Sequence, residues 1–488
     1  MEGRKGSPPD RSRLTSFREE RIDANRQIAR NQGLRLETTP DIPRNACEPA
    51  APPNRLKTAA IAIGSPPRTN SEHKMTIAPP RTTASFVPTR EAGLVRLRDF
   101  APKAGGAYAS NRNYDLGATN VTHVSGLSPY IRHRMLGEEE ILQAILTRHS
   151  RSSAEKAVQE IFWRAYWKGW LQMRPGVWQD YQQGVQRGLN RVQTESGLRN
   201  AWETACAGET SIAPFDHWAQ ELVRTGYLHN HARMWFASIW IFTLNLPWEL
   251  GADFFLRHLL DGDPASNTLG WRWVAGIQTP GKTYLARPDN IETYTKGRFR
   301  GLTGLAVQAP AIAAPPAPQA QPLPLHETQE PKAGCGVLIT EEDLSPGWLL
   351  PQGIKPASLA ALTSTSARSP LIVAPQVYEF TAKSMEDCLA RHSARLGHAA
   401  VSTTQIGDIV AWAKDKGLTQ VVTSFAPVGP VADRLRDLET ALGKNGTALI
   451  RRIRPYDRAA WPHATHGFFR FRAKIPLLLD RISGLAQT

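Results

Sequence analysis

The 488-residue sequence predicts a mainly α-helical protein, with an all-helical domain followed by a small α/β domain and a disordered tail at the N-terminal end. Three observations predict this class. Apolar residues recur at helical spacing through the middle of the chain. A Pro/Ala-rich stretch then breaks that pattern, and beyond it short apolar runs alternate with helical ones. The length exceeds what one ordinary core accommodates, so two folded domains plus unfolded segments are expected.

Residues 1–85 are rich in Pro, Arg, Ser and Thr and show no sustained period. Such a composition cannot bury enough apolar surface to offset the entropy of ordering, and disorder is expected. Met75 stands shortly before order should begin and is an alternative start, which sequencing the native N-terminus would decide. The helical domain is expected over 86–305. Its first periodic stretches are REAGLVRLRDF and GEEEILQAILTRH, in which Glu138, Glu139 and Glu140 suit a first helical turn. Further helices are predicted near 154–174, 196–206, 215–226, 230–245 and 251–261, with Pro175-Gly176 and Pro247 read as turns. The linker spans 306–334 and is plainest at Ala306 to Leu325, whose composition favours an extended, semi-rigid spacer. In the α/β domain, 335–488, strands are read at Gly336–Ile339, Leu371–Ala374, Val421–Thr423 and Thr447–Ile450. Helices at Ile406–Lys416 and Val431–Leu442 alternate with them, which implies a parallel sheet.

A net charge of +15 and a pI near 9.8 bias the partners toward polyanions such as nucleic acid. Cys47, Cys206, Cys335 and Cys388 form no close pair, which argues against a disulfide framework or a zinc knuckle and fits a reducing cytoplasm. The apolar stretch from Met234 to Leu250 is interrupted by Asn245, Pro247 and Glu249, so it reads as a buried helix and not as a membrane span. The opening MEGRKGSPPDRSR lacks the apolar run of a secretory signal, although its arginines weakly resemble a transit peptide. Eleven of the fourteen tryptophans lie between Trp163 and Trp273. For most of them a large helical core is the better reading, and two or three suit a ligand or electron-transfer role.

The run DGDPASNTLGWRWVAG, Asp261 to Gly276, places two acids, an Asn, glycines and two tryptophans after a helix. It resembles the flavin-binding centre of the DNA photolyase and cryptochrome family, and the resemblance extends over roughly residues 86–300 in the family's order. Tyr108 and Arg112 match a tyrosine and an arginine that precede the phosphate-binding loop. Ser125, Leu127 and Ser128 match that loop, which would hold the FAD diphosphate, while Val124 replaces its threonine. Glu160, Trp163 and Arg164 recur at i, i+3 and i+4 on one helical face. The resemblance implies that Glu160 hydrogen-bonds a damaged pyrimidine, Trp163 stacks on it and Arg164 helps hold FAD. Taken alone, Glu160 and Arg164 read as a surface ion pair.

Asn230 and Met234 match residues that face the lesion, and Arg233 matches the partner of an acid beside the flavin, here Asp261. His231 stands where many relatives carry Arg. The resemblance sets Asp263 against the cofactor, Asn267 at flavin N5, Trp271 in electron transfer to photoexcited flavin and Trp273 in the wall of the lesion pocket. Trp248 matches the middle member of the usual three-tryptophan chain. Thr194 occupies the outermost place, where Trp202 or Trp178 are candidate substitutes.

The resemblance therefore implies FAD as cofactor, damaged DNA as partner, a monomer and no membrane association. The leading function is light-driven splitting of cyclobutane pyrimidine dimers, favoured over the (6-4) lesion by Asn230 and Met234. A cryptochrome-like light sensor is the alternative; a flavoprotein without light chemistry and a basic binding module follow. The α/β stretch follows the helical domain where the family's antenna domain precedes it, so the order looks permuted. FAPVGPVADRLRDLETALGKNG and the segment from His463 to Pro476 resemble the end of that antenna domain, with the antenna pigment left open. No glycine-rich dinucleotide fingerprint is present.

Overall fold

In a computed structural model of the protein, residues 86–118, 124–324 and 329–482 are described. The expected disordered tail, with Cys47 and Met75, lies outside them. The described residues belong to one compact unit.

The helical body runs through α1 (Arg90–Phe100), α2 (Gly106–Asn111), α3 (Ser128–Arg132), α4 (Glu138–Leu146), α5 (Glu155–Gln172), α6 (Pro175–Thr194), α7 (Ser196–Ala207), α8 (Ala213–Thr225), α9 (Asn230–Ser238), α10 (Trp248–His258), α11 (Pro264–Val274) and α12 (Pro288–Tyr294). Local chemistry sets several boundaries. The Thr89 hydroxyl caps α1 by accepting from Ala92 N–H at 3.3 Å. The helix predicted over 230–245 is α9 continued by one π turn, Ile239–Thr243, before Pro247 breaks it.

Pro175-Gly176 is not the turn it was expected to be. Pro175 opens α6, because a first-turn residue needs no amide donor. Gly184 and Gly188 then let α6 approach α10: a Cβ would stand 2.6 Å from Glu249 Cγ at the first and 2.9 Å from Leu250 Cγ at the second. Packing makes this Gln- and Gly-rich segment helical, against its weak propensity.

The aromatic core explains most of the tryptophans. Trp218, Trp235, Trp240, Phe215, Phe236 and Phe254 are fully buried. Phe215 stacks on Phe236 with ring centroids 4.3 Å apart. The indole N–H groups find acceptors: Trp218 donates to Asp115 at 3.0 Å, Trp235 to Asn290 at 2.9 Å and Trp240 to the Pro247 carbonyl at 2.9 Å. Among the described residues no helix is long and apolar enough to cross a membrane.

The C-terminal part holds β1 (Gly336–Thr340), β2 (Ser358–Leu362), β3 (Ala399–Thr403), β4 (Gln420–Ser424) and β5 (Ala448–Arg452), all paired in parallel in the order β3-β2-β1-β4-β5. Around the sheet lie α13 (Pro375–Leu396), α14 (Ile406–Asp415) and α15 (Pro430–Gly443), followed by the short helices α16 (Pro455–Ala460), α17 (Phe468–Arg472) and α18 (Ile475–Asp480).

Leu371–Ala374, expected as a strand, is instead the entry to α13, with Ala374 as its N-cap and its N–H donated to the Arg257 carbonyl at 2.9 Å. Its place in the sheet goes to β2, whose SLAAL sequence is too alanine-rich to read as a strand but has small residues that fit a sheet covered on both faces. β3, the edge strand, is only half-buried and escaped notice for the same lack of bulky residues.

Residues 306–324 form no helix or strand, as their composition predicts. They do not hang free. Ala306 N–H donates to Thr243 Oγ1 at 3.1 Å, Ile312 N–H to Ala275 O at 3.0 Å and Gln321 N–H to Met173 O at 2.8 Å, while Arg174 Nε donates to Pro318 O at 3.0 Å. The strap walls a groove of about 590 Å³ that is also lined by Tyr181, Trp248 and Arg272.

At the carboxyl end of β1, where open α/β sheets of this strand order commonly bind ligands, the protein places its own cations. Arg132 Nη2 meets Glu342 at 2.6 Å and Lys168 Nζ reaches the same carboxylate at 3.5 Å. Burial opposes charge on Glu342, but Arg132 and Lys168 bring its pKa down to about 2.

Candidate functional site

The segment opened by Asp261 is organised by a helix start. The Asp263 carboxylate accepts from Ser266 N–H at 2.8 Å and caps α11, with Pro264 in the first turn. This fixes Asp261, Asp263 and Asn267 near one another. Arg233, on α9, donates to Asp261 Oδ2 at 2.8 Å and to the Leu228 carbonyl at 3.0 Å. Burial would raise the Asp261 pKa, yet Arg233 and the nearby Ser128 hydroxyl hold it below the usual carboxylate range. The predicted Arg233–Asp261 partnership is therefore present in the geometry.

Asp263 sits deeper. Lys168 Nζ lies 3.0 Å from its carboxylate and Arg164 Nη1 stands 3.8 Å away. Burial opposes the charge, but Lys168, Arg164 and Arg132 together keep Asp263 far below its ordinary pKa. Through Lys168, the ion-pair seam beneath β1 continues into this site.

Asn267 Nδ2–H donates to the Ala252 carbonyl at 2.8 Å, which leaves the amide oxygen uncommitted among the described residues. Trp271 is buried, with its edge toward Phe255 at 5.1 Å and Trp240 at 6.2 Å between ring centroids. Trp248 lies 6.0 Å from Tyr181, which lies 5.1 Å from Trp178. The aromatic string thus leads from Trp248 toward Trp178. Thr194 is exposed, and Trp202 has no ring contact with this string among the described residues.

Tyr108 lies within α2 and Arg112 caps its C-terminal end, where Arg112 Nε approaches Glu160 Oε1 at 3.9 Å. The Glu160 side chain is half-exposed, 47% of it reached by solvent. Burial pushes its pKa up and Arg112 only partly counters this. His229 accepts from His231 N–H through Nδ1 at 3.1 Å, so its Nε2–H is the donor to Arg112 O at 3.0 Å. His231 bonds Asn113 O at 2.9 Å and the Tyr284 hydroxyl at 3.2 Å, and Tyr284 in turn stacks on Trp273. Asn230 is exposed, and Met234 and Trp273 are half-buried. In the loop before α3, Leu127 N–H donates to Ser125 Oγ at 3.3 Å, and Leu127 is buried.

Trp163 is half-buried on α5, with one face covered: Phe468 stacks on it at 3.5 Å between centroids, planes 10° apart. Sequence reasoning missed Phe468, Lys168 and His229. Lys168 carried a signal, because it follows Arg164 by four residues and Glu160 by eight on the same helical face. Phe468 lies some 300 residues from Trp163 and had none.

Four buried polar atoms here lack hydrogen-bond partners among the described residues: Asp261 Oδ1, Asp263 Oδ2, Arg164 Nη1 and Trp271 Nε1. Orphaned buried groups are uncommon in native proteins, and these are free to meet a ligand. A spare carboxylate acceptor together with a cationic donor fits a cofactor that carries both ring N–H groups and a diphosphate. The fold and this site define a helical flavin-binding domain.

Comparison with known proteins bears this out. Residues 157–296 match the family described as FAD binding domain of DNA photolyase. The deoxyribodipyrimidine photo-lyase of Alkalihalophilus pseudofirmus is 31% identical over 195 residues, which cover 40% of this chain and 39% of the relative. That of Escherichia coli is 29% identical over 220 residues, covering 41% and 42%. The chain thus spans about two fifths of the length of these relatives. Among solved structures, Synechocystis sp. PCC6803 cryptochrome aligns over 47% of this chain and 46% of its own, at 25% identity and a TM-score of 0.36. A class III photolyase from Agrobacterium tumefaciens aligns over 43% of each at the same identity and score.

Proposed function

We propose that this protein is a light-driven flavoprotein that splits cyclobutane pyrimidine dimers in DNA. The observation that carries the reading is the Arg233–Asp261 pair at 2.8 Å, with Asp261 Oδ1 left without a hydrogen-bond partner among the described residues. When bound, FAD supplies light absorption and a one-electron donor. Asp261, oriented by Arg233, offers a fixed acceptor to a ring N–H. Arg164 contributes a cationic donor, and Ser125 and Ser128 suit the phosphate side. Asn267, anchored on Ala252, presents its amide oxygen.

Glu160, whose pKa burial shifts upward against the pull of Arg112, is the hydrogen-bonding partner for a pyrimidine of the lesion. Asn230, Met234 and Trp273 supply the remaining wall, with Trp163 at the rim. A dimer stacks poorly within a duplex, so drawing it out of the stack costs only a few kcal/mol, and the basic charge favours phosphate contact. We take the working form to be a monomer in the cytoplasm.

Light-dependent recovery of thymine absorbance in a dimer-containing oligonucleotide, with reduced flavin-loaded protein, tests the reading. No recovery would reject repair. The cryptochrome-like sensor is the second reading, favoured by the Phe468 ring that already covers one face of Trp163. It predicts light-dependent flavin changes without restored thymine.

A further inference from the structure

The segment after α16 does something its sequence does not suggest. Gly467 to Lys474 folds back across the helical body, where Phe468 lies flat on Trp163 at 3.5 Å, Phe471 packs 6.2 Å from Phe162 and the Tyr166 hydroxyl donates to His466 O at 2.8 Å. These contacts hold α17 firmly against α5, the helix that carries Glu160 and Arg164.

The opposite side of α17 is unusual. Phe469 is 81% exposed, the most exposed aromatic side chain among the described residues. An exposed Phe in the middle of a well-anchored turn costs hydration free energy and gains no internal contact. Arg470, Arg472 and Lys474 around it are exposed and have no acidic partner among the described residues. Several exposed arginines elsewhere do find one, such as Arg191 with Glu195 and Arg287 with Asp289.

We propose that Gly467–Lys474 is a nucleic-acid contact element, in which Phe469 stacks on a base of a strand that passes the site while Arg470, Arg472 and Lys474 hold its phosphates. An exposed ring amid unneutralised cations is the pairing by which proteins grip single or locally opened strands: the ring takes the π-face of any base and the cations follow the backbone. The same charge disfavours the Arg-rich N-terminal tail and a second copy of this basic chain as occupants. The inference rests on the reading of DNA as partner. It assigns to the C-terminal part a share in that work.

The test measures fluorescence anisotropy of flavin-loaded protein with three labelled oligonucleotides: a dimer-containing duplex, the undamaged duplex and a single strand, each across a salt series. Phe469→Ala should weaken binding about 5- to 150-fold, with Phe469→Tyr close to wild type. Arg470→Ala with Arg472→Ala should lower the slope of log K against log salt by about 2. Flavin absorbance serves as the check on folding. If the wild type prefers the dimer duplex and the variants bind with unchanged affinity and slope, the contact element is overturned and the repair reading stands. If the wild type shows no preference for the dimer but the variants still weaken single-strand binding, the repair reading falls and the contact element stands. A wild-type dimer in solution that Phe469→Ala dissociates, with DNA binding unaltered, assigns the surface to self-association and overturns the proposal.

Discussion

Arg132 and Glu342 form a buried ion pair at 2.6 Å that ties α3 to the chain leaving β1. Removing one partner leaves the other charged and buried. Glu342→Gln should therefore destabilise the fold by about 3–5 kcal/mol, while the paired change Arg132→Met with Glu342→Leu should cost much less. Urea unfolding of the two variants measures the difference.

Asp261→Asn keeps the shape of the side chain but loses the charge that meets Arg233. A charge-assisted bond is stronger than a neutral one by roughly 1–2 kcal/mol, so flavin should dissociate about tenfold more readily. The flavin-to-protein absorbance ratio after dialysis checks this. An unchanged ratio would remove Asp261 from the cofactor site.

His229 is held neutral: burial brings its pKa down to about 4, and its Nδ1 is occupied as an acceptor. Between about pH 6.5 and about pH 4 the unfolded ring binds a proton that the folded ring does not. Stability from this group is thus complete above about 6.5 and is lost as the pH falls through 4, by an amount on the order of 3 kcal/mol. His258, with its pKa down to about 3, and Glu342, down to about 2, act in the same direction. His229→Gln should flatten the dependence between pH 7 and pH 4.5 without abolishing it, as read from unfolding midpoints.

The string Trp248, Tyr181, Trp178 ends where the Trp178 indole donates to Asp433 at 3.3 Å. Blue-light reduction of bound flavin should be slowed by Trp248→Phe and Trp178→Phe and left alone by Trp202→Phe. Equal rates for Trp178→Phe and wild type would point to exit at Trp248, which lines the groove under the strap.

Gly251 has no room for a methyl group, since a Cβ there would stand 2.3 Å from Trp271 Cη2 and 2.9 Å from Trp240 Cε2. Gly251→Ala should cost about 1–3 kcal/mol by overpacking and displace Trp271. Thermal unfolding reports the first effect and the yield of flavin photoreduction the second.

The residues around Asp261 were legible in the sequence because they lie on two helices, with their spacing kept in a short run. Asn267 and Trp271 differ by one turn of α11, and Arg233 needed only to be matched to its acid. The helical class was legible from its period, and the central strands β1 and β4 from runs of branched residues. What stayed hidden depends on distant packing. Pro175 reads as a break until α10 is seen beside Gly184 and Gly188, and SLAAL reads as nothing until its neighbours leave space only for alanine. The stack of Phe468 on Trp163 joins positions no local pattern connects.

The Pro/Ala strap has one more implication. A free tether tolerates insertion and deletion because added residues merely lengthen a coil. Here Ile312 and Gln321 are bonded to residues about a hundred positions apart on the helical body, Ala275 and Met173. The distance between those anchors meters the chain like a gauge, so that a single residue added between them must buckle outward or undo a bond. Its low-complexity composition thus disguises a segment of fixed length.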